Sequence, residues 1–237
     1  FINTQERFER RVDGYRRGDA YDPSANGLAS ADYSHVRLFS YIYYTEFMEL
    51  ERLLRQDPLK IVTVLDLGTG FGNALLTMTA LLPQHVRNRV RFFGIDSQER
   101  DMSFARAYSQ ERGYGITFRQ VNVEQQDWIK SVKDLNDGKP FDLVIANHVL
   151  EHLDPVNHPL EFYIREWATL GDTIAVAVPM NEPEESFALS GHQSRFDVSR
   201  LEQIKKKMEQ ADFSVDEKNS ASGIIIVRNN KFDGGTS

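Results

Sequence analysis

The chain has 237 residues, of which 41% are hydrophobic and 27% charged, with a formal net charge of −7 and no cysteine. These values are typical of a globular protein that can bury a full core. The acidic balance argues against a nucleic-acid partner. The lack of cysteine excludes disulfides, thiolate metal ligands and cysteine nucleophiles. No apolar run approaches the roughly 18 residues of a membrane helix, so we expect a cytoplasmic protein without a membrane partner.

The first 57 residues are predicted to form a helical cap or lid. After a loop at Tyr21–Asp32, apolar side chains recur at helical spacing, which favours a helix packed on a sheet. Tyr41 and Tyr44 lie off this apolar stripe and are candidates for lining a substrate pocket. The stripe comprises Val36, Phe39, Tyr43, Phe47, Leu50 and Leu54.

A buried strand is predicted at Ile61–Leu65, and it leads into three alternating glycines, Gly68, Gly70 and Gly72. Glycine takes positive φ readily and lets the backbone approach a ligand closely. A helical pattern follows the glycines. A strand, a glycine turn and a helix in this order are typical of a nucleotide site.

The glycine loop does not match the dinucleotide fingerprint G-x-G-x-x-G/A, because Asn73 occupies its sixth position. Asp66, two residues before the first glycine, can accept hydrogen bonds from loop amides or face a positively charged ligand. It would repel a pyrophosphate. An oxidoreductase that uses a dinucleotide is therefore the least favoured enzyme class.

Apolar runs alternate with helical patterns along the rest of the chain. This alternation predicts an α/β fold with a doubly wound, mostly parallel sheet and helices on both faces. An antiparallel hairpin is predicted to close the sheet at Phe213–Glu217 and Gly223–Arg228. The other predicted strands are Val90–Asp96, Ile116–Val123, Phe141–Asn147 and Thr173–Pro179. The predicted helices are Glu99–Gly113, Gln125–Leu135, Pro159–Leu170 and Val198–Ala211, the last with Asp197 as its N-cap.

Two motifs carry a resemblance to a known family. Asp66-Leu67-Gly68-Thr69-Gly70-Phe71-Gly72 resembles the first motif of class I S-adenosylmethionine-dependent methyltransferases. Asn147-His148-Val149-Leu150-Glu151-His152-Leu153 resembles the fourth motif of their small-molecule branch, and the likeness runs from about Ile61 to Val227. The resemblance implies a seven-stranded Rossmann-like domain over residues 58–230, followed by a flexible tail at 231–237. It also implies S-adenosyl-L-methionine as the cofactor and methyl transfer to O, N or C of a small molecule, such as a secondary metabolite.

Residues at the carboxyl ends of the predicted strands are expected to meet in one crevice. Asp96 is a candidate to accept the ribose hydroxyls, with a surface acid or helix cap as the alternative. The resemblance implies an adenine contact for Asn122, where the family often has aspartate, and a plain loop asparagine stays open. It implies for Asn147 a contact with the methionine end of the cofactor. The expected cofactor-binding residues are Asp66, Gly68, Thr69, Gly70, Gly72, Asp96, Ser97, Asn122, Val123 and Asn147.

His148 is the candidate general base, because the resemblance places it beside the reacting methyl and histidine titrates near neutrality. His192 is the second candidate, and catalysis by proximity alone stays open. Arg195 is a candidate to bind a substrate carboxylate in a two-pronged geometry. The alternative for Arg195 is an ion pair with Asp197 or a helix-capping role.

The residues from His148 to His152 also spell H-x-x-E-H, a zinc protease pattern. That pattern needs a long helix and a third ligand, whereas here it follows a strand and precedes Asp154-Pro155. No metal site is therefore predicted, and Glu151 and His152 are expected to support the turn. A carboxylate-assisted magnesium is left more open, since some quinone-pathway methyltransferases carry a related acid-rich stretch.

Other functions stay open beside a small-molecule methyltransferase. The same scaffold could cyclise or cleave its cofactor, methylate a protein, or keep only the fold. We expect a small-molecule substrate and leave a homodimer open.

Overall fold

The computed structural model of the chain describes residues 42, 45–156, 158–181, 184, 187, 192–215 and 223–229. The strands are β1 (Val62–Leu67), β2 (Val90–Asp96), β3 (Thr117–Gln120), β4 (Phe141–Asn147), β5 (Gly171–Ala177), β6 (Phe213–Val215) and β7 (Ile224–Asn229). The helices used below are α1 (residues 45–56), α2 (Asn73–Leu81), α3 (Gln84–Arg87), α4 (Glu99–Glu111), α5 (Trp128–Lys133), α6 (Leu160–Trp167) and α7 (Val198–Glu209). Asp134–Asn136 and Leu150–His152 form short 3-10 turns.

The strands form one seven-stranded sheet in the order β3-β2-β1-β4-β5-β7-β6. Strands β1 to β5 pair in parallel, whereas β7 runs antiparallel to both β5 and β6. The predicted doubly wound α/β sheet with an antiparallel C-terminal pair is therefore confirmed. The strand order reverses between β1 and β4, and open α/β sheets bind ligands at the carboxyl ends of the strands at such a point.

The core lies on both faces of the sheet. Every residue of β1 is buried, as is β4 up to Asn147, and this double burial explains why most residues of both strands are apolar. On one face Leu65 and Trp167 belong to one core cluster. On the other face Val64 belongs to a second cluster that also contains Leu50 of α1. Helix α1 therefore packs onto this second core, while the predicted division at residues 57 and 58 stays a prediction.

A buried polar contact aligns β1 with β4. The Asp142 carboxylate accepts hydrogen bonds from the Thr63 backbone N–H at 2.7 Å and from the Thr63 hydroxyl at 3.0 Å. Lys60 pairs with the same carboxylate, which raises the pKa of Lys60. These contacts fix the relative position of the two strands whose other ends carry Asp66 and Asn147.

The edge strand β3 is shorter than predicted. It ends at Gln120 and not at Val123, and the last hydrogen bond to β2 runs from the Val121 N–H to the Asp96 carbonyl at 2.9 Å. Helix α5 begins at Trp128, later than the predicted Gln125, after a residue in left-handed conformation.

Other strand and helix boundaries differ by a few residues from the predicted ones. Strand β1 continues to Leu67, so Asp66 lies inside the strand, and β5 begins at Gly171, which pairs with Phe141. The short helix α3 was not predicted. The predicted N-cap of α7 is confirmed, since the Asp197 side chain accepts from the Arg200 N–H at 2.7 Å. Among the described residues no helix is long and apolar enough to cross a membrane.

Candidate functional site

The glycine loop lies between β1 and α2, and all three glycines have positive φ: 64° at Gly68, 50° at Gly70 and 71° at Gly72. L-residues rarely adopt these values. Two of the positions also lack room for a side chain. A Cβ on Gly68 would lie 2.5 Å from a Val149 methyl, and one on Gly72 would lie 2.6 Å from the Ala105 Cβ. Glycine is thus required here by conformation and by packing, and the amino end of α2 follows directly.

Asp66 lies near the carboxyl end of β1 and is only 2% exposed. Its Oδ2 accepts a hydrogen bond from the Thr69 hydroxyl at 2.7 Å. Burial raises the pKa of Asp66 to about 7, the Thr69 hydrogen bond opposes this rise, and the charge of Asp96 adds to it. Asp66 is therefore an acid whose charged form lacks sufficient stabilising partners in the protein alone.

Asp96 joins two loops at the end of β2. Its Oδ2 accepts from the Gly70 N–H at 2.8 Å, and its Oδ1 accepts from the Gln98 N–H at 2.8 Å. The N-cap position of α4 is Gln98, so the alternative of a cap at Asp96 itself is not realised. The carboxylate is half-buried beside the glycine loop, where it can still accept hydrogen bonds from a ligand.

Ser97 and Asn122 lie on adjoining loops after β2 and β3. The Gln120 side-chain amide donates to the Ser97 carbonyl at 2.9 Å, which ties the two loops together. The Asn122 Oδ1 accepts from the Glu124 N–H at 2.9 Å, so Asn122 does stabilise its own turn. Val123 is half-buried in the same turn. The structure thus brings the residues that are predicted to contact the adenosine part of the cofactor to one edge of the sheet.

Glu46 of α1 was not predicted from the sequence as a site residue. Glu46 is only 1% exposed, and neither of its carboxylate oxygens accepts a hydrogen bond from a described residue. Burial raises the pKa of Glu46 well above its usual value, and the charge of Asp66 raises it further. The signal in the sequence was an acid four residues from both Ile42 and Leu50, which places it on the buried face of the helix.

Asn147, at the end of β4, lies beside Glu46. Its amide lowers the pKa of Glu46, although no hydrogen bond of normal geometry joins the two side chains. Both amide atoms of Asn147 are buried without a hydrogen-bond partner among the described residues. Glu46 and Asn147 thus leave buried polar atoms unsatisfied close to the buried Asp66, and we call Glu46, Asp66 and Asn147 the acidic cluster. Unsatisfied buried polar groups are costly, so the acidic cluster suits a polar, positively charged ligand.

His148 follows Asn147 and has a positive φ of 55°. Its backbone N–H donates to the Ala177 carbonyl of β5 at 2.9 Å. Its Nδ1 lies 3.0 Å from Oε1 of Glu151, which is fully buried in the 3-10 turn at Leu150–His152. The Glu151 carboxylate therefore faces the His148 imidazole within this turn.

The chain after β5 returns to this turn and brings His192 with it. The Gln193 and Ser194 N–H groups both donate to the Glu151 carbonyl, at 2.7 and 3.1 Å. The His192 ring stands edge-on to the His152 ring, with 4.6 Å between the ring centres. The structure thus brings both predicted catalytic histidines, His148 and His192, to one turn.

The ion pair with Asp197, one of the alternatives to a substrate role for Arg195, is not the pairing that the structure has. Arg195 pairs with Glu184 at 2.6 Å and stacks over the Phe187 ring, whose centre lies 4.2 Å away. Asp197 instead caps α7 with its side chain. A substrate carboxylate would have to compete with Glu184 for the guanidinium. Tyr41 and Tyr44, the other predicted substrate residues, lie outside the described residues.

Comparisons with known proteins agree with this architecture. Residues 59–212 match a family model described as a methyltransferase domain. A comparison with curated proteins finds no match to the sequence.

Solved structures with the same fold include a magnesium protoporphyrin IX methyltransferase from Synechocystis PCC 6803 with bound SAH. It is 15% identical, with a TM-score of 0.55 over 94% of this chain and 97% of that chain. The plantazolicin methyltransferase BpumL is 12% identical, with a TM-score of 0.54 over 95% of this chain and 98% of that chain. The CurJ carbon methyltransferase is 16% identical, with a TM-score of 0.56 over 94% of this chain and 65% of that chain. At these identities the likeness establishes the fold.

Proposed function

The chain belongs to the methyltransferase domain family, and we propose that it uses S-adenosyl-L-methionine to methylate an O, N or C atom of a small molecule. The observation that carries the proposal is the acidic cluster. S-adenosylmethionine bears an ammonium and a sulfonium group, and both are cations that need desolvated negative or polar partners. A pyrophosphate cofactor would instead be repelled by Glu46 and Asp66.

Each part of the crevice suits one part of this cofactor. The positive-φ glycines bring backbone close to the ligand, and Asp96 is proposed to accept the ribose hydroxyls while Ser97, Asn122 and Val123 border the adenine. Thr69, through its bond to Asp66, holds that carboxylate in place. Asn147 and Glu46 are proposed to bind the methionine ammonium, which would satisfy polar atoms that otherwise have no partner.

His148 is proposed to remove the proton from the substrate nucleophile. The cofactor supplies an activated methyl group, so the protein has to align the nucleophile, exclude water and accept that proton. Glu151 Oε1 lies 3.0 Å from Nδ1, so Nε2 is the nitrogen proposed to accept the proton. The positive φ of His148 is a strained feature of the kind found at functional sites.

A small-molecule substrate is supported by neighbours in fold. Magnesium protoporphyrin IX and plantazolicin are the compounds named for two of those neighbours. Arg195, Tyr41 and Tyr44 stay candidates for the substrate pocket, and His192 stays the second candidate base. The cytoplasmic location and the homodimer predicted from the sequence stay predictions.

The experiment is a transfer assay with S-adenosylmethionine that carries a labelled methyl group. The acceptors are pooled small molecules with O, N and C nucleophiles, and the wild type is compared with Asp96→Ala. Glu111→Ala, which removes an exposed acid at the far end of α4, is the matched control. We expect labelled acceptor from the wild type and the control only. Turnover of the cofactor to a cyclised or cleaved product, with no labelled acceptor, would overturn the proposal.

A further inference from the structure

We propose that Glu151, His152 and His192 bind a divalent transition-metal cation beside the crevice. Each of the three offers one ligand atom, and these atoms all lie within 4.8 Å of one another. The three residues come from two segments that are far apart in the sequence. No metal site was predicted from the sequence, because H-x-x-E-H here is not on a long helix. The local pattern does not show that His192 lies beside this turn in the fold.

The two segments are held together by a built contact. Three hydrogen bonds join them: two N–H groups donate to the Glu151 carbonyl, and the Gln193 side-chain amide donates to the His152 carbonyl at 2.9 Å. The acceptors of these bonds are the Glu151 and His152 backbone carbonyls, so the bonds do not involve the three proposed ligand atoms. The loop therefore arrives at a position that brings its histidine to the other two ligands.

The Glu151 carboxylate points to a cation on independent grounds. The residue is 0% exposed, and neither carboxylate oxygen accepts a hydrogen bond from a described residue. His148 Nδ1 lies 3.0 Å from Oε1 but outside hydrogen-bond geometry. A buried carboxylate without hydrogen bonds is strongly destabilising unless a charge compensates it. The two candidates for that compensating charge are a protonated His148 and a metal ion that Glu151 shares with His152 and His192.

The donor set selects the kind of metal. Two imidazoles and one carboxylate suit zinc, cobalt, manganese or ferrous iron, whereas magnesium and calcium prefer oxygen ligands. Bond lengths of about 2.0–2.2 Å require the ligand atoms to approach to roughly 3.0–3.5 Å. Exposed His152 and half-buried His192 can close that gap by side-chain rotation. Three protein ligands leave at least one position open.

The use of that open position rests on the proposed function. His148 belongs to the same turn as two of the ligands, so an acceptor oxygen bound to the metal would lie near the proposed base. A metal lowers the pKa of a bound hydroxyl and so makes it a better nucleophile. The inferred substrate class is therefore a molecule with an oxygen donor at or next to the atom that is methylated.

The test is calorimetric titration of the full chain, freed of metal with a chelator, with zinc, cobalt and magnesium ions. The visible absorption of bound cobalt reports its coordination geometry. We expect one equivalent of zinc or cobalt to bind, with affinity reduced by at least about 100-fold in His152→Ala and in His192→Ala. Both side chains are at least partly exposed, so folding should survive, and His85→Ala is the matched control at an exposed histidine of α3.

Two outcomes would overturn the metal site. One is no stoichiometric binding of zinc or cobalt, which would leave His148 as the partner of Glu151. The other is equal binding by the wild type, His152→Ala and His192→Ala, which would indicate scattered surface sites. Titration of the metal-free protein with S-adenosylmethionine is a separate measurement. A failure of the proposed function would therefore be seen as a lack of S-adenosylmethionine binding, and it would not change the metal titration.

Discussion

Burial raises the pKa of Glu46 on α1, and the charge of the equally buried Asp66 on β1 raises it further. Two buried carboxylates that repel each other destabilise the protein unless a cation lies between or beside them. This relationship links the N-terminal helix to the glycine loop. It supports the proposal that the crevice binds a positively charged ligand.

Replacing Glu46 by glutamine should separate stability from binding. The change keeps the shape of the side chain but removes a buried group that can ionise, so we expect the melting temperature of the ligand-free protein to rise relative to the wild type at the higher pH where Glu46 loses its proton. Affinity for S-adenosylmethionine should fall by about tenfold or more, because a charge-assisted hydrogen bond to the ammonium is lost. Thermal unfolding and calorimetry measure the two effects. Glu51→Gln on the same helix is the control, and unchanged affinity in Glu46→Gln would exclude the ammonium contact.

The raised pKa of Asp66 predicts a pH dependence of stability. The unfolded side chain titrates near its ordinary value of 3.8, whereas the folded one titrates at about 7. Between these values only the folded state holds the proton, so the free energy of unfolding should fall as pH rises from about 4 to 7 and then level off. Glu46 contributes in the same direction. The total effect of Asp66 is on the order of a few kcal/mol.

Chemical denaturation at several pH values checks this slope, with Asp66→Asn as the comparison. The wild type should lose more stability than the variant over the interval. Affinity for S-adenosylmethionine should change in the opposite sense and strengthen as Asp66 ionises. Parallel slopes in the wild type and the variant would show that Asp66 titrates at its ordinary pKa.

The glycine loop offers a matched pair of substitutions. Gly68→Ala has both an unfavourable φ of 64° and a Cβ that would meet a Val149 methyl at 2.5 Å, whereas Gly70→Ala has a φ of 50° and no atom within 4 Å. We expect Gly70→Ala to cost about 1–2 kcal/mol from strain alone and Gly68→Ala more. Denaturant unfolding gives both values. Adding Val149→Ala to Gly68→Ala should recover the steric part, and equal costs for the two single variants would contradict the close contact.

His148→Ala should lower kcat without changing the affinity for the cofactor. A general base contributes about 10²- to 10⁴-fold to the rate, so a loss in this range supports proton removal by His148. Single-turnover kinetics on an acceptor found in the transfer assay measure it, with His158→Ala as the control. A loss of less than about tenfold would favour catalysis by proximity alone.

The sheet could be predicted from sequence because its central strands are buried on both faces. Val90–Asp96 and Phe141–Asn147 were predicted with the bounds that the structure has. The edge strand β3 was overestimated, since its apolar pattern continues into Val121 and Val123 after the ladder has ended. An apolar pattern reports burial, and burial continues past the last ladder hydrogen bond.

The site was predictable where a motif is local and not where it depends on long-range packing. Asp66, Asp96 and the glycines could be placed from their positions at strand ends. Glu46 could not, because its role depends on how α1 packs over β1. The contact of His192 with His152 depends on a loop that returns to the turn after β4, and no local spacing encodes that return.

The most direct measurement of the central claim is calorimetric titration of the folded, metal-free chain with S-adenosylmethionine, S-adenosylhomocysteine and a nicotinamide dinucleotide. The acidic cluster predicts that the first two bind, with the cationic S-adenosylmethionine strengthened as pH rises through about 7. The dinucleotide should not bind, since its pyrophosphate would face Asp66. Binding of the dinucleotide, or no binding of either sulfur ligand to well-folded protein, would contradict the account.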